Sequence, residues 1–433
     1  MSSRTTADRD FRLFTLGQVS TAFGSALTAI VVPILAVEGF GATEWQIGLL
    51  QASTAAPVVA LGFLVGVWSD RQRRKRRRLI TLDLVSIAVL TALALGVAFD
   101  VAGFYWLLPV MVFFGISSLA VEALYFSHLD TVIGERTIMS ARSRLIGGER
   151  LGSATGRGIA GALVWLGGYA LPLFLDAALY LVNAVCLAFI RSPDEVRTAP
   201  PQSRNLRREV TAGFRILAEI RILRGFSTAG LLISVAEAML LALLPILLLR
   251  TLGLPEALYG AVFIAASLAA AAGALACAPL AERMGGPAVC RIGLAGIAAG
   301  STVLATGATI GGPVAGAVVV AVGLALLGLF GSVWNVGLTT AVTARADASV
   351  LGRVTLNVRT LTALAAMSGS VLGGAAGSLV GIRGAAWIAV AVGAIGAGLM
   401  AVFVTEDRTG GERDRDTAES GIPVGGKGVR SRR

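Results

Sequence analysis

Gly66-Val67-Trp68-Ser69-Asp70-Arg71-Gln72-Arg73-Arg74-Lys75-Arg76-Arg77-Arg78 sets one acid and seven basic residues between two apolar runs. Each flanking run is long enough to cross the ~30 Å hydrocarbon layer of a membrane. The loop can therefore only lie in water. Short basic loops stay on the cytoplasmic side of a bacterial-type membrane, so this stretch fixes the direction of both flanking helices and, by counting, of all the others.

The rest of the composition agrees. Of 433 residues, 55% are hydrophobic and 15% charged, which excludes an ordinary soluble protein and implies a polytopic membrane protein. The net charge of +11 does not point to nucleic acid, because the basic residues fall in short blocks between apolar spans, where orientation and anionic headgroups account for them. Cys186, Cys277 and Cys290 are scattered, and His128 is the only histidine. Neither a disulfide framework nor a soft-metal site can be built from them, and no cofactor is expected. The first apolar run, from Phe11, is too long for a signal-peptide core and reads as a retained helix.

Twelve spans follow, at about 11–37, 44–68, 79–99, 104–127, 143–167, 169–190, 224–249, 256–281, 288–309, 312–341, 354–381 and 384–404. With both termini cytoplasmic, 34 of the 37 basic residues are assigned to cytoplasmic segments, leaving Arg250 and Arg383 outside and Arg157 within a span. The expected organisation is a cytoplasmic N-terminus (1–10), a six-helix bundle (11–190), a linker (191–223), a second six-helix bundle (224–404) and a disordered cytoplasmic tail (405–433). In the linker Leu206, Val210, Phe214, Leu217 and Ile220 are spaced for one face of an amphipathic helix. The halves also repeat. Ser69-Asp70-Arg71 recurs as Ala281-Glu282-Arg283 after 212 residues, and Arg142 matches Arg353 at an offset of 211. Gly148, Gly152, Gly156 and Ala160 in the fifth span, and Gly369, Gly373, Gly377 and Gly381 in the eleventh, form two ladders of small residues; helix packing accounts for them in part, and they are expected also to be faces along which the halves rock.

Gly66, Ser69, Asp70, Arg71, Arg74 and Lys75 resemble the loop between helices 2 and 3 of the major facilitator superfamily of secondary transporters, with Arg73 where that pattern usually has glycine. Arg9 to Leu13, Leu16-Gly17-Gln18, Asp83, Asp176 and Gly352-Arg353-Val354 are similar to the branch that contains enterobactin and macrolide exporters. The resemblance runs from about residue 9 to 404 and implies an all-α fold of two pseudo-symmetric six-helix bundles. It also implies a conformational latch of Gly66, Asp70, Arg71 and Arg74, with Asp130 or Glu135 as partners of Arg74 and Glu282 and Arg283 as its weaker second copy.

An ionisable group at the bilayer centre costs at least ~2.5–3.5 kcal/mol, so Glu122, Arg157, Asp176 and Glu237 are the candidates for a substrate and proton cavity. Glu122 is expected to pair with Arg157, Asp176 to line the cavity or brace helix 6, and Glu237 either to face the cavity and bind a proton or a cationic group or to be a lipid-facing or helix-capping residue. No phosphate-binding glycine loop and no nucleophile–base constellation can be read, so neither ATP drive nor enzymatic chemistry is expected. The leading expectation is a monomeric, proton-driven exporter of small amphipathic compounds in a bacterial inner membrane. The alternatives are a lysophospholipid or lipid translocator, an importer of the same fold, or a membrane-embedded sensor or enzyme.

Overall fold

Backbone N–H and C=O groups find no water inside a bilayer, so each long apolar run must satisfy its own as a helix. The computed structural model describes residues 2–70, 72, 74–133, 138–190, 221–284, 286–310, 312–343 and 348–419. In chain order they form α1 (Ser2–Ile34), α2 (Glu44–Asp70), α3 (Lys75–Ala98), α4 (Phe104–Ile133), α5 (Ile138–Gly167) and α6 (Ala170–Phe189). The second half supplies α7 (Arg221–Ile246), α8 (Glu256–Met284), α9 (Gly286–Gly307) and α10 (Pro313–Thr343). The last stretch, Ala348–Glu419, is broken at Gly381 (φ 76°, ψ 163°) into α11 (348–380) and α12 (382–419).

Nine apolar stretches among the described residues are long enough to cross a membrane. One of them, Val358–Leu399, spans the Gly381 break and so counts twice; with α2 and α5 the total is twelve. Within the first half α1 packs on α5 and α6, α3 on α6, and α2 on α4. In the second half α8 and α9 both pack on α10, and α7 packs on the Ala348–Glu419 stretch.

The repeat at offset 212 is written into the backbone. Pro33 in α1 and Pro245 in α7 each lie two residues before a π-helical turn, Leu35–Gly39 and Leu247–Thr251. Proline removes an i→i−4 hydrogen bond and loosens the helical register, which a π turn then absorbs. The exits coincide as well: Phe40 N bonds Leu35 O and Leu252 N bonds Leu247 O, both at 2.9 Å. Gly41 (φ 65°) and Gly253 (φ 67°) then turn the chain through the left-handed region that side chains avoid.

The small-residue ladders are helix-packing faces, and they do not lie where the halves meet as a rocking surface would. A Cβ on Gly152 would meet Val19 O and one on Gly156 would meet Phe23 O, both on α1. Likewise Gly369 faces Val235 and Gly373 faces Met239, both on α7. The ladder glycines hold each bundle together internally; Gly377 also meets Glu44 of the opposite half. The seam between halves lies on a neighbouring face of the same helices. There Gly161 of α5 meets the carbonyls of Glu256 and Ala257, and Gly260 of α8 meets that of Arg157. At the symmetric crossing Gly48 of α2 and Gly374 of α11 each leave the other's backbone 2.9 Å from a notional Cβ. A helix has several faces, and spacing alone does not say which partner takes which.

The linker residues 191–220, and with them the amphipathic face from Leu206 to Ile220, lie outside the described residues. Helix α12 continues to Glu419, where the composition predicts no regular structure from Thr405; extending a formed helix requires no new nucleus. Overpacking a close crossing typically costs about 1–3 kcal/mol. Gly260→Val and Gly374→Val should each lower the melting temperature of the purified protein and expose a cysteine placed at Ala42, which is 0% exposed here. Maleimide labelling at an unchanged rate would show that the crossings do not seal that end.

Candidate functional site

Among the described residues, the helix ends near residue 40 are where the two halves are most firmly joined. Arg250, in the π turn after α7, donates Nη2 to Val37 O at 2.6 Å and Nη1 to Ala42 O at 2.7 Å. Both acceptors lie in or just beyond the corresponding π turn of the first half, where the altered register leaves carbonyls free for a cation. Beside this clasp the Tyr169 hydroxyl donates to Glu256 Oε1 at 2.9 Å, linking the α5–α6 turn to the start of α8. Burial, and then the bonded carboxylate of Glu256, push the Tyr169 phenol well above its ordinary range, so it stays a donor at any physiological pH.

Toward the opposite ends of the helices, among the described residues, a bidentate ion pair crosses between halves. Arg359 of α11 donates to Glu122 of α4 through Nη1–Oε1 at 2.8 Å and Nη2–Oε2 at 2.5 Å. The two side chains are 46% and 44% exposed, so this bridge stands in the gap between the bundles, open to water. It corrects the expected Glu122–Arg157 pair. Helix α5 turns its faces to α1 and α8 rather than to α4, and Arg157 reaches Ser267 Oγ of α8 at 3.4 Å instead. The basic-residue count assigns Arg359 to a cytoplasmic segment, yet it sits inside the predicted eleventh span. An arginine and an acid at similar depth are the available signal, but nothing in the sequence ties residue 122 to residue 359.

Asp176 belongs to a different environment. It is 0% exposed and enclosed within the first bundle, where Thr28 of α1 donates to its Oδ2 at 2.5 Å. It therefore braces α6 and does not open on the gap. Tyr180 and Asn183 continue the same face of α6: Tyr180 bonds Ser25 at 3.1 Å, and Asn183 Nδ2 donates to Asp83 Oδ2 of α3 at 2.8 Å. Gly17 and Gly24, seven residues apart on α1, make room for Asn183 and Asp176, seven apart on α6. Glu237 is half-buried on α7, with Oε1 3.9 Å from a notional Cβ on Gly331 of α10. It makes no hydrogen bond among the described residues.

At the basic loop, Arg76 donates to Ile190 O at the end of α6, a helix terminus that favours a cation. Arg74 is exposed and precedes α3; Glu282 and Arg283 lie at the end of α8, Arg283 exposed and Glu282 exposed. The side chains of Asp70, Arg71, Asp130 and Glu135, and the surroundings of Gly66, lie outside the described residues, and the expected latch lies there with them. The three cysteines are buried and none is in a disulfide.

Comparison with known proteins gives a consistent result. The family model described as Major Facilitator Superfamily matches residues 14–238 and 226–433. A putative multidrug resistance protein, MdtD of Cronobacter sakazakii (strain ATCC BAA-894), is 28% identical over 208 residues, covering 43% of this chain and 42% of that protein's length. The match thus spans less than half of this relative. Among solved structures, the nucleoside transporter NupG superposes with a TM-score of 0.70 at 14% identity, over 92% of this chain and 98% of that one. A bacterial homologue of the iron transporter ferroportin, in an inward-facing state, gives 0.66 at 16% identity over 91% and 98%. Identities this low speak to the fold alone.

The exposed Glu122–Arg359 bridge should contribute only about 0–1 kcal/mol to stability. Glu122→Gln should leave the melting temperature nearly unchanged, and Arg157→Met should not alter its effect. The swap Glu122→Arg with Arg359→Glu should recover transport lost in either single variant. A large destabilisation by Glu122→Gln that Arg157→Met rescues would restore the Glu122–Arg157 pairing.

Proposed function

The chain belongs to the Major Facilitator Superfamily, and on that premise we propose that it is a secondary active exporter of small amphipathic compounds driven by the proton gradient. The observation that carries the reading is the distribution of bonds between halves. Close backbone crossings and the Arg250 clasp join them near residue 40, whereas toward the other end a solvated ion pair spans the gap. Two bundles held this way can exchange which end is open without refolding either one. The positive-inside distribution supports a topology with the basic loop, both termini and the end that carries the solvated Glu122–Arg359 pair in the cytoplasm of a bacterial inner membrane, the side from which an exporter loads. The likeness to a multidrug resistance protein supports efflux of drug-like molecules, and the protein acts as a monomer.

Within this reading Glu237 is the proton carrier. It is a half-buried carboxylate on a bundle helix with no cation bonded to it among the described residues, so it can gain or lose a proton without breaking an ion pair. Asp70, with Arg71 and Arg74, acts as the cytoplasmic latch. The protonated and unprotonated forms favour different open ends, which is how a gradient is converted into direction.

Purified protein in vesicles, loaded with a panel of amphipathic compounds, should move them only with an imposed pH gradient. Glu237→Gln should keep normal protein levels and lose that pH dependence. Retention of the full pH response would remove Glu237 from coupling. Orientation has its own check. In intact cells a cysteine at the exposed Thr43 should react with an impermeant maleimide and one at the exposed Arg77 should not; the reverse pattern would invert the topology.

A further inference from the structure

A guanidinium far from bulk water must find acceptors for five N–H donors in a fixed plane. Arg157 is ten residues from the Gly167 end of α5, about 15 Å along the helix, and Ser267 lies at a matching depth in α8. The 3.4 Å contact with Ser267 Oγ is long for a hydrogen bond, and that hydroxyl already donates to Phe263 O at 2.9 Å. No other hydrogen-bond partner of the Arg157 side chain exists among the described residues. Among the described residues the charge that acts on it is Arg150, two turns away on the same helix, exposed and of the same sign. The one membrane acid within the gap that the sequence offered as its partner, Glu122, has both oxygens committed to Arg359.

We propose that Arg157, with Ser267, receives an oxyanion group of the transported molecule, so that the substrates are amphiphiles with an acidic head, a carboxylate or a phosphate. This inference rests on the transporter reading. A planar fork with unused donors matches such a head in two parallel bonds. Arg150 and Arg157, at i and i+7, put two cations on one side of α5, the first exposed and the second deep, which marks a path for an anion. Helices α5 and α8 belong to different bundles, so a head bound between Arg157 and Ser267 contacts both sides of the seam that must part during transport. Arg359 does not compete for this role, because its fork is filled.

The test uses the purified full chain in a neutral maltoside detergent, titrated with decanoate and decyl phosphate against decylamine and decanol, with the melting temperature as readout. The two acids should raise it and the other probes should not. Arg157→Gln should weaken acid binding by about tenfold or more. Arg157→Lys should keep part of the decyl phosphate binding, since a point charge suits phosphate better than it replaces a bidentate fork. Ser267→Ala should weaken both acids a few-fold, which keeps the test open if Arg157→Gln fails to fold. Equal stabilisation by all four probes, or acid binding unchanged in both Arg157 variants, would overturn the inference. Repeating the titration in phosphatidylcholine nanodiscs with and without phosphatidylglycerol separates the sources. Competition by the anionic lipid makes a membrane phosphate the ligand, and its absence makes it a soluble acid; lipid and acid binding that Arg157→Gln leaves unchanged is again fatal. In vesicles, transport of neutral and cationic compounds alone, unaffected by Arg157→Gln, would overturn this inference while leaving the transporter reading intact. Acid binding at Arg157 with no compound of any charge moved would instead sink the transporter reading and leave the site standing.

Discussion

Two halves of a membrane protein gain little from the hydrophobic effect when they meet, because lipid tails are as apolar as leucine. What joins them here is backbone approach at two symmetric crossings, Gly48 against Gly374 and Gly161 with Gly260 against the carbonyls of the facing helices. Any side chain at these points would have to displace main chain. The crossings therefore set how closely α2 approaches α11 and α5 approaches α8, and with that the position of every group displayed toward the gap. They also leave Arg157 on the seam itself, since its own carbonyl is what Gly260 packs against.

Polar groups then divide into those that hold a bundle and those that connect bundles. Inside the first bundle Thr28–Asp176, Ser25–Tyr180 and Asp83–Asn183 are bonds among elements that stay together. In a medium where an unpaired polar group costs kilocalories, such bonds fix α1, α3 and α6 relative to one another. Between bundles the bonds are of another kind. Arg250 holds carbonyls freed by a π turn, Tyr169 holds Glu256, and Arg359 holds Glu122 in water. Among the described residues each is a few hydrogen bonds at most, so each bundle is bonded within itself and the seam between bundles is held by few polar contacts.

The duplicated chain adds an asymmetry to this frame. Position 38 is glutamate and its counterpart 250 is arginine. The arginine of the second π turn donates to Val37 O in the first and to Ala42 O just beyond it, so the repeated turns meet as unlike partners, with a side-chain cation on one side and backbone carbonyls on the other.

How much of this was legible beforehand depends on how local the cause is. Hydropathy fixed the spans, because each helix satisfies its backbone within itself; the predicted limits 44–68 and 104–127 both fall inside observed helices. The offset of 212 was visible in Asp70 and Glu282, and the same offset reappears in Pro33 and Pro245 and in Gly41 and Gly253, whose geometry follows from residue type. Residue type also picked out Glu122, Arg157, Asp176 and Glu237 as charges that a membrane does not hold without reason. Partnership was another matter. That Glu122 bonds Arg359, that Asp176 is walled in by α1, and that the glycine ladders face inward while Gly260 and Gly374 face the seam all depend on the rotation of one helix against another. Each helix in water-free surroundings has a self-sufficient backbone and several faces of similar apolarity, so its rotation is set only by the neighbours it packs against, and those are chosen by the tertiary structure.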